Sequence, residues 1–209
     1  MDIIKIRRMS AGEMDGACEV IGLAFADNPN TLAVVRGDQV KAKRVMQTAV
    51  RVAKLGRRYS HVLVAEQGGR LVGVLNAAEW PHCQLGPLEK LKVAPAMIRV
   101  MGSALPRQLK ILSAWAQHDP RKPHWHVGPI GVHPKLQGQG VGKALLGSFL
   151  DMVDQQCSPA YLETDVDRNV MLYDKFGFVV VAQENLMGIN NRFMWREARP
   201  SAPGVDRSE

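Results

Sequence analysis

Residues 128–146 read GPIGVHPKLQGQGVGKALL, and this stretch decides the fold. The apolar run that ends at Val132 is typical of a β-strand, and the apolar residues after Gly142 are typical of a helix. The glycines between them allow the backbone to approach a ligand closely, and the free amides and positive dipole of the helix start point toward that ligand. The stretch therefore predicts an anion site of the kind that holds a phosphate group.

Two common nucleotide-binding motifs do not fit this turn. Counting back from Gly142 and Lys143, a Walker A loop would need glycine where Gln137 stands and serine or threonine where Ala144 stands. The dinucleotide fingerprint fails as well, since its third glycine would occupy the position of Lys143. Nucleoside triphosphates and nicotinamide dinucleotides are therefore not the expected ligands.

The pattern that remains is Gln-x-x-Gly-x-Gly, formed by Gln137, Gly140 and Gly142, and two further segments follow it. Residues 160–164 read AYLET, and residues 168–178 read RNVMLYDKFGF. Together these segments resemble the acetyl-coenzyme A site of the GNAT superfamily of N-acetyltransferases. The Leu-Glu-Thr, Arg-Asn and Tyr residues are also similar to the puromycin acetyltransferase-like branch. The close match covers residues 124–182, residues 60–77 fit loosely, and residues 78–123 resemble no particular family.

The resemblance implies an α/β fold with a central, mixed, mostly antiparallel and twisted sheet of about seven strands. Strands 4 and 5 are expected to splay apart, with helices flanking the sheet. Residues 1–197 are expected to form a single domain, followed by a flexible tail at 198–209. The residues that the resemblance assigns to acetyl-coenzyme A are Ile130, Gly131, Val132, Gln137, Gly138, Gln139, Gly140, Val141, Gly142, Lys143, Thr164, Asn169, Tyr173 and Phe176.

Acetyl transfer to a primary amine needs an oxyanion donor and a proton donor for the leaving thiolate. In this family the pantetheine arm lies in the gap between two parallel strands, and Pro129 with its flanking glycines suits a bulge that leaves amides free. The amide of Ile130 or Val132 is then the candidate oxyanion donor. The resemblance assigns Tyr173 the proton that goes to sulfur, and Asn169 either caps its helix or binds the cofactor.

The proton acceptor for the amine has three candidates. His124 and His126 share one face of a strand, and an imidazole has an ordinary pKa of about 6.5, which suits a base. Glu79 is the third candidate, and Trp80 beside it is expected to line the pocket that binds the acceptor. Structural histidines and a His-x-His zinc pair are the alternatives; a zinc site would need further ligands from outside this segment, and none is predicted.

The remaining elements follow from periodicity and turn residues. A strand is expected at 3–8, a helix at 10–25 with Ser10 and Glu13 as a capping box, and a helix across 36–58. Residues 61–66 and 70–77 form a hairpin, and residues 86–117 are helical with interruptions at Pro95 and Pro106. Beyond these, strands are expected at 124–132, 160–164, 178–182 and 192–195, and helices at 138–156 and 168–176.

Composition and charge restrict the class of protein. The chain has 209 residues, 46% of them hydrophobic, and a formal charge of +7. The three scattered cysteines favour a reducing compartment, and the absence of a long apolar run or legible signal peptide predicts a cytoplasmic protein with no membrane partner. The basic residues of 36–58 could favour a polyanionic ligand. Nucleic-acid binding is less expected, because only 6% of the residues are aromatic and stacking on bases needs more.

The sequence therefore predicts an acetyl-coenzyme A-dependent N-acetyltransferase that acts on a small-molecule amine or a peptide by direct transfer. A coenzyme A-binding sensor without catalysis is the first alternative, and a nucleic-acid-binding protein is the second. A homodimer is compatible with the sequence, and no metal is expected.

Overall fold

The computed structural model describes residues 3–199, so residues 200–209 of the predicted tail lie outside it. Seven strands make up the sheet: β1 (Lys5–Arg8), β2 (Ser60–Gln67), β3 (Arg70–Glu79), β4 (Trp125–Val132), β5 (Ala160–Thr164), β6 (Val179–Leu186) and β7 (Ile189–Arg196). The α-helices are α1 (Met14–Ala24), α2 (Pro29–Val35), α3 (Gln39–Val50), α4 (Pro87–Met101), α5 (Leu105–His118), α6 (Val141–Gln155) and α7 (Asp167–Asp174).

The strands form one mixed sheet in the order β1-β2-β3-β4-β5-β7-β6. Every neighbouring pair is antiparallel except β4 and β5, which are parallel. These two strands pair only at Trp125 with Ala160 and at His126 with Tyr161, near the start of both strands. Beyond these pairs they diverge, which confirms the predicted seven-stranded sheet and its splay between strands 4 and 5.

A bulge marks the point where the splay begins. The register between β3 and β4 shifts between Leu75 and Ala77, opposite Gly128 and Pro129. The side chain of Asn76 donates a hydrogen bond to the carbonyl of Gly128 at 3.0 Å. Because proline has no amide hydrogen, it cannot continue the ladder, and the bulge accommodates it as the sequence predicted.

The core lies on both faces of the sheet. On one face α6 packs with Leu145 and Phe149 against the strands, and on the other face α1 packs with Ala17 and Ile21. A third apolar cluster joins α2 and α3 to the α4–α5 region through Val34, Val45 and Met101, among others. None of the helices within residues 3–199 combines the length and the apolar character needed to cross a membrane.

Three helix boundaries differ from the sequence-based predictions. Asn28 and Pro29, predicted to break the helical pattern, follow the end of α1 at Ala24 and begin α2. The Asn28 side chain caps the amide of Thr31, and proline fits the first helical position. The predicted interruption at Pro95 is wrong, since α4 continues through it. Helix α6 begins at Val141 rather than 138, because Gly140 adopts a left-handed conformation as its N-cap.

The predicted basic helix of 36–58 is divided and partly neutralised. It consists of α3 and a π-helical turn, Arg51–Leu55, which precedes Gly56. Lys43 pairs with Glu19 at 2.5 Å, Arg51 pairs with Asp15, and Arg57 pairs with Glu89 at 2.9 Å. These ion pairs reduce the positive field that a nucleic acid would require.

Replacing Gly73 by valine is expected to destabilise the chain by about 1–3 kcal/mol through overpacking. A Cβ atom at this position in β3 would lie 2.8 Å from both Leu145 and Val141 of α6. Urea denaturation measures the effect, with Gly12→Val as the control because a Cβ atom there meets nothing within 4 Å. Equal denaturation midpoints for the two variants would show that α6 does not pack this tightly on the sheet.

Candidate active site at the splayed strands

The glycine-rich turn connects the end of β4 to the start of α6. Its two positive-φ glycines are Gly138, with φ of 78°, and Gly140, with φ of 86°. The amide of Ala144 donates to the carbonyl of Gly140 at 2.9 Å, which closes the first turn of α6. The preceding helical amides, those of residues 141–143, have no intrahelical acceptor and point out of the helix N-terminus. Residues 138–140 are exposed, so an anion can reach these amides.

Two polar side chains brace the turn. The Gln137 side chain donates to the carbonyl of Val132 at 3.3 Å, which ties the turn to the last residue of β4. Arg168, in the first turn of α7, donates to the Gln137 side-chain oxygen at 3.2 Å. The sequence motif contains Arg168, although this residue was not among the predicted site residues. Its position adds a positive charge beside the turn.

The predicted strand residues line the gap and its borders. Ile130, Gly131 and Val132 pair with β3 on one side, where they lie opposite Leu75, Val74 and Gly73. Gly131 also has a packing role, because a Cβ atom there would lie 2.7 Å from the end of the Ile21 side chain in α1. Thr164 ends β5 on the other side of the gap.

Asn169 does not cap its helix. Helix α7 begins at Asp167 with Val166 as its N-cap, so Asn169 lies within the first turn. Its side-chain amide is 3.5 Å from the hydroxyl of Thr164, and that hydroxyl also accepts from the amide of Val166 at 3.3 Å. Of the two predicted roles for Asn169, the capping role is therefore wrong.

Tyr173 lies at the end of α7 and is buried, with 7% of its surface exposed. Its ring packs against Phe178 with the ring centroids 6.1 Å apart. Burial, with a smaller contribution from the charge of Asp165, raises the pKa of the Tyr173 phenol above its ordinary value. The phenol therefore keeps its proton at neutral pH. Phe176, which is partly buried, packs on the same core.

Asp165, which was not among the predicted site residues, connects this region to the start of α2. Its carboxylate accepts two hydrogen bonds from the Asn28 side chain at 2.9 Å and one from the amide of Asn30 at 2.7 Å. These bonds fasten the start of α2 to the loop between β5 and α7. The contact spans more than 130 residues of sequence, and no local pattern signals it.

The two candidate histidines are buried among carboxylates. His126 is 8% exposed, and its Nε2 lies 3.0 Å from a carboxylate oxygen of Glu163. Burial alone would lower the pKa of both imidazoles, but the negative charges of Glu163 beside His126 and of Asp119 beside His124 outweigh it. The pKa of His124 is raised to about 9, and that of His126 lies well above 6.5. Both imidazoles are therefore protonated at neutral pH, which does not suit a base.

Glu79 and Trp80 lie near the opposite end of β4 from the turn. Glu79 is exposed at the end of β3 and faces Trp125 in the register, and Trp80 is 37% exposed. Trp80 also lines a surface pocket with Cys83, Asp119 and Arg121.

Comparisons with known proteins agree with this geometry. A sequence model described as the acetyltransferase (GNAT) family matches residues 39–178. An uncharacterised N-acetyltransferase of Schizosaccharomyces pombe is 36% identical over 55 residues, a match that covers 26% of this chain and 22% of that protein. The chain thus matches less than a quarter of the length of this curated relative.

Solved structures share the fold. A structure described as histone acetyltransferase HPA2 and related acetyltransferase, from Corynebacterium glutamicum, has a TM-score of 0.68 at 21% identity, covering 98% of this chain and 99% of the other. A GNAT family acetyltransferase from Brucella melitensis, in complex with acetyl-coenzyme A, has a TM-score of 0.52 at 17% identity. The match covers 99% of this chain and 95% of the Brucella chain. Because the family model matches most of the chain, this protein belongs to the GNAT family of acetyltransferases.

Proposed function

We propose that this protein is an N-acetyltransferase that moves the acetyl group of acetyl-coenzyme A to a primary amine by direct attack, while both substrates are bound. The observation that carries the proposal is the divergence of β4 from β5 directly before a glycine-rich turn at the N-terminus of α6. Family membership and the relative solved with acetyl-coenzyme A support the same cofactor.

In this proposal the backbone of the turn binds the diphosphate of coenzyme A. The amides at the start of α6 supply hydrogen bonds, and the helix dipole adds to them. Lys143, which is exposed, and Arg168, which is held by Gln137, contribute positive charge at the edges. The pantetheine arm then runs through the gap between β4 and β5, where the strands no longer pair.

Transfer needs stabilisation of the oxyanion and a proton for the departing thiolate. We assign the first role to the amide of Ile130 or Val132 beside the bulge; one such donor is worth about 2.7–4 kcal/mol. We assign the second role to Tyr173, whose buried phenol keeps its proton at neutral pH. The acceptor of the proton that the amine loses stays a prediction, with His126, His124 and Glu79 as the candidates. The burial of the two histidines does not favour them in this role.

We propose a small amine or a peptide amine as the acceptor. The group that could bind its ammonium form is the carboxylate of Glu163, which is buried on the face of the sheet where His126 lies. The side chain of Glu163 is 6% exposed, and its Oε1 finds no hydrogen-bond partner among residues 3–199. A buried carboxylate with a free oxygen is suited to hold an ammonium group.

The test is release of free coenzyme A from acetyl-coenzyme A in the presence of polyamines, aminoglycosides, amino acids and peptides. We expect at least one amine class to accelerate release, with the acetylated amine detected by mass spectrometry. Tight coenzyme A binding without transfer to any amine would favour the sensor function instead. An acetylated protein that forms before the amine is added would contradict direct transfer.

A further inference from the structure

Four side chains that commonly bind metals meet on the face of the sheet opposite α6. They come from three segments: Cys83 from the loop after β3, Asp119 from the end of α5, and His124 and His126 from the start of β4. One ligand atom from each lies within 4.8 Å of all the others. All four residues are buried, with exposures of 2–9%. The His-x-His pair thus obtains from elsewhere in the chain the two further ligands that it lacks by itself.

We propose that Cys83, Asp119, His124 and His126 bind one divalent ion of the zinc type, which fastens the α4–α5 segment to the central sheet. The proposal goes beyond acetyl transfer and does not depend on it.

Three distances within the cluster, which involve both oxygens of Asp119, are close to those expected between ligands of a tetrahedral ion. His124 Nε2 lies 3.1 Å from one oxygen of Asp119, and His126 Nδ1 lies 3.4 Å from the other. Cys83 Sγ lies 3.6 Å from Asp119 Oδ2. Nitrogen and oxygen atoms bonded at about 2.0–2.1 Å to a tetrahedral ion are about 3.3 Å apart, and a sulfur bonded at about 2.3 Å is about 3.6 Å from an oxygen.

Among residues 3–199, three atoms of the cluster lack hydrogen-bond partners, whereas Asp119 Oδ2 accepts from the Cys83 thiol and the Gln84 side chain. Within the part of the chain that the structure describes, Asp119 Oδ1, His124 Nε2 and His126 Nδ1 are buried and lack a hydrogen-bond partner of acceptable geometry, although they lie close together. Buried polar atoms without partners are rare in folded proteins, because each loses its hydrogen bonds to water and gains none in return. A bound cation would satisfy all three atoms at once.

The other nitrogen of each imidazole is held in the way that metal-binding histidines are held. His124 Nδ1 donates to the carbonyl of Lys122 at 2.7 Å, and His126 Nε2 contacts the Glu163 carboxylate at 3.0 Å. Carbonyl and carboxylate partners of this kind orient the ring and fix the tautomer. When an ion displaces the proton of the remaining nitrogen, that nitrogen presents its lone pair to the centre of the cluster.

The ligand set selects the ion. A thiolate, a carboxylate and two imidazoles suit Zn²⁺, whereas Mg²⁺ and Ca²⁺ prefer oxygen ligands alone. The thiolate and the carboxylate together balance the two positive charges of the ion. Four protein ligands leave no open coordination position, which is typical of a structural zinc site. The surface pocket lined by Trp80, Cys83, Asp119 and Arg121 gives the ion a route to the cluster.

The experiment uses the full chain without a histidine tag, stripped with a chelator and titrated with Co²⁺. We expect saturation at one equivalent per chain, with the strong visible absorption of tetrahedral cobalt and a thiolate-to-cobalt charge-transfer band, both abolished by added Zn²⁺. The metal content of the untreated protein and the thermal midpoint with and without Zn²⁺ are measured in parallel. These readouts do not involve acetyl-coenzyme A, so they stay informative if the transferase proposal fails.

Cys83→Ser is expected to remove the charge-transfer band and to weaken Co²⁺ binding by at least about a hundredfold, since loss of an outer-shell partner alone costs about 10–100-fold. Cys157→Ser is the matched control, because Cys157 is exposed and outside the cluster. Asp119→Asn should keep the band and weaken binding. The proposal is overturned if stripped wild-type protein takes up no Co²⁺ or Zn²⁺ at micromolar concentration, or if the band persists in Cys83→Ser.

Discussion

Gly142→Glu is expected to weaken the binding of coenzyme A by about a hundredfold or more, which corresponds to about 2.7 kcal/mol. Gly142 is the second residue of α6, where the helix amides face the proposed diphosphate site. A carboxylate here would repel the diphosphate and compete with it for the same amides. Isothermal titration calorimetry with coenzyme A and acetyl-coenzyme A measures the change.

The fold should tolerate this substitution, which makes the result interpretable. A Cβ atom at 142 would lie 3.5 Å from Val132, an ordinary contact, and Gly142 does not have a positive φ. Gly138 and Gly140 are poorer choices, because their left-handed backbone would strain any side chain. Ser148→Glu places the same charge on an exposed position of the same helix and should bind coenzyme A normally. Equal affinities for the two variants would place the diphosphate elsewhere.

The sequence predicted the parts of the site that depend on local signals. The turn of residues 137–142, the strands beside it and the bulge at Pro129 follow from residue types that act on their own backbone. Glycine permits a positive φ, and proline removes a donor, whatever the rest of the chain does. For that reason the bulge and the turn that leads into α6 could be expected from about twenty consecutive residues, whereas the splay was expected from the family resemblance and α6 begins at Val141 rather than at 138.

The parts that the sequence did not predict depend on contacts between distant segments. Cys83 and Asp119 lie beside His124 because of how the α4–α5 segment is placed against the sheet, and Asp165 contacts Asn28 across most of the chain. Neither contact produces periodicity or a short motif. The error at Pro95 has another cause, since helix propensity disfavours an internal proline without excluding it, and α4 continues through Pro95.

Tyr173→Phe is expected to slow turnover by about a hundredfold or more, the usual contribution of a positioned proton donor, while the affinity for coenzyme A changes by less than about threefold. The ring of Tyr173 packs in the core, so phenylalanine keeps the packing and removes the hydroxyl alone. Steady-state kinetics with the best acceptor and calorimetry with coenzyme A measure the two quantities separately.

Tyr59→Phe is the control for this substitution, since Tyr59 is 43% exposed and stacks on His82, away from the gap. Because burial raises the pKa of Tyr173 above its ordinary value of about 10, the phenol stays protonated up to at least that pH. The wild-type rate should therefore show no alkaline loss from Tyr173 below about pH 10. Normal turnover combined with a large loss of affinity in Tyr173→Phe would make this phenol a binding group rather than the proton donor.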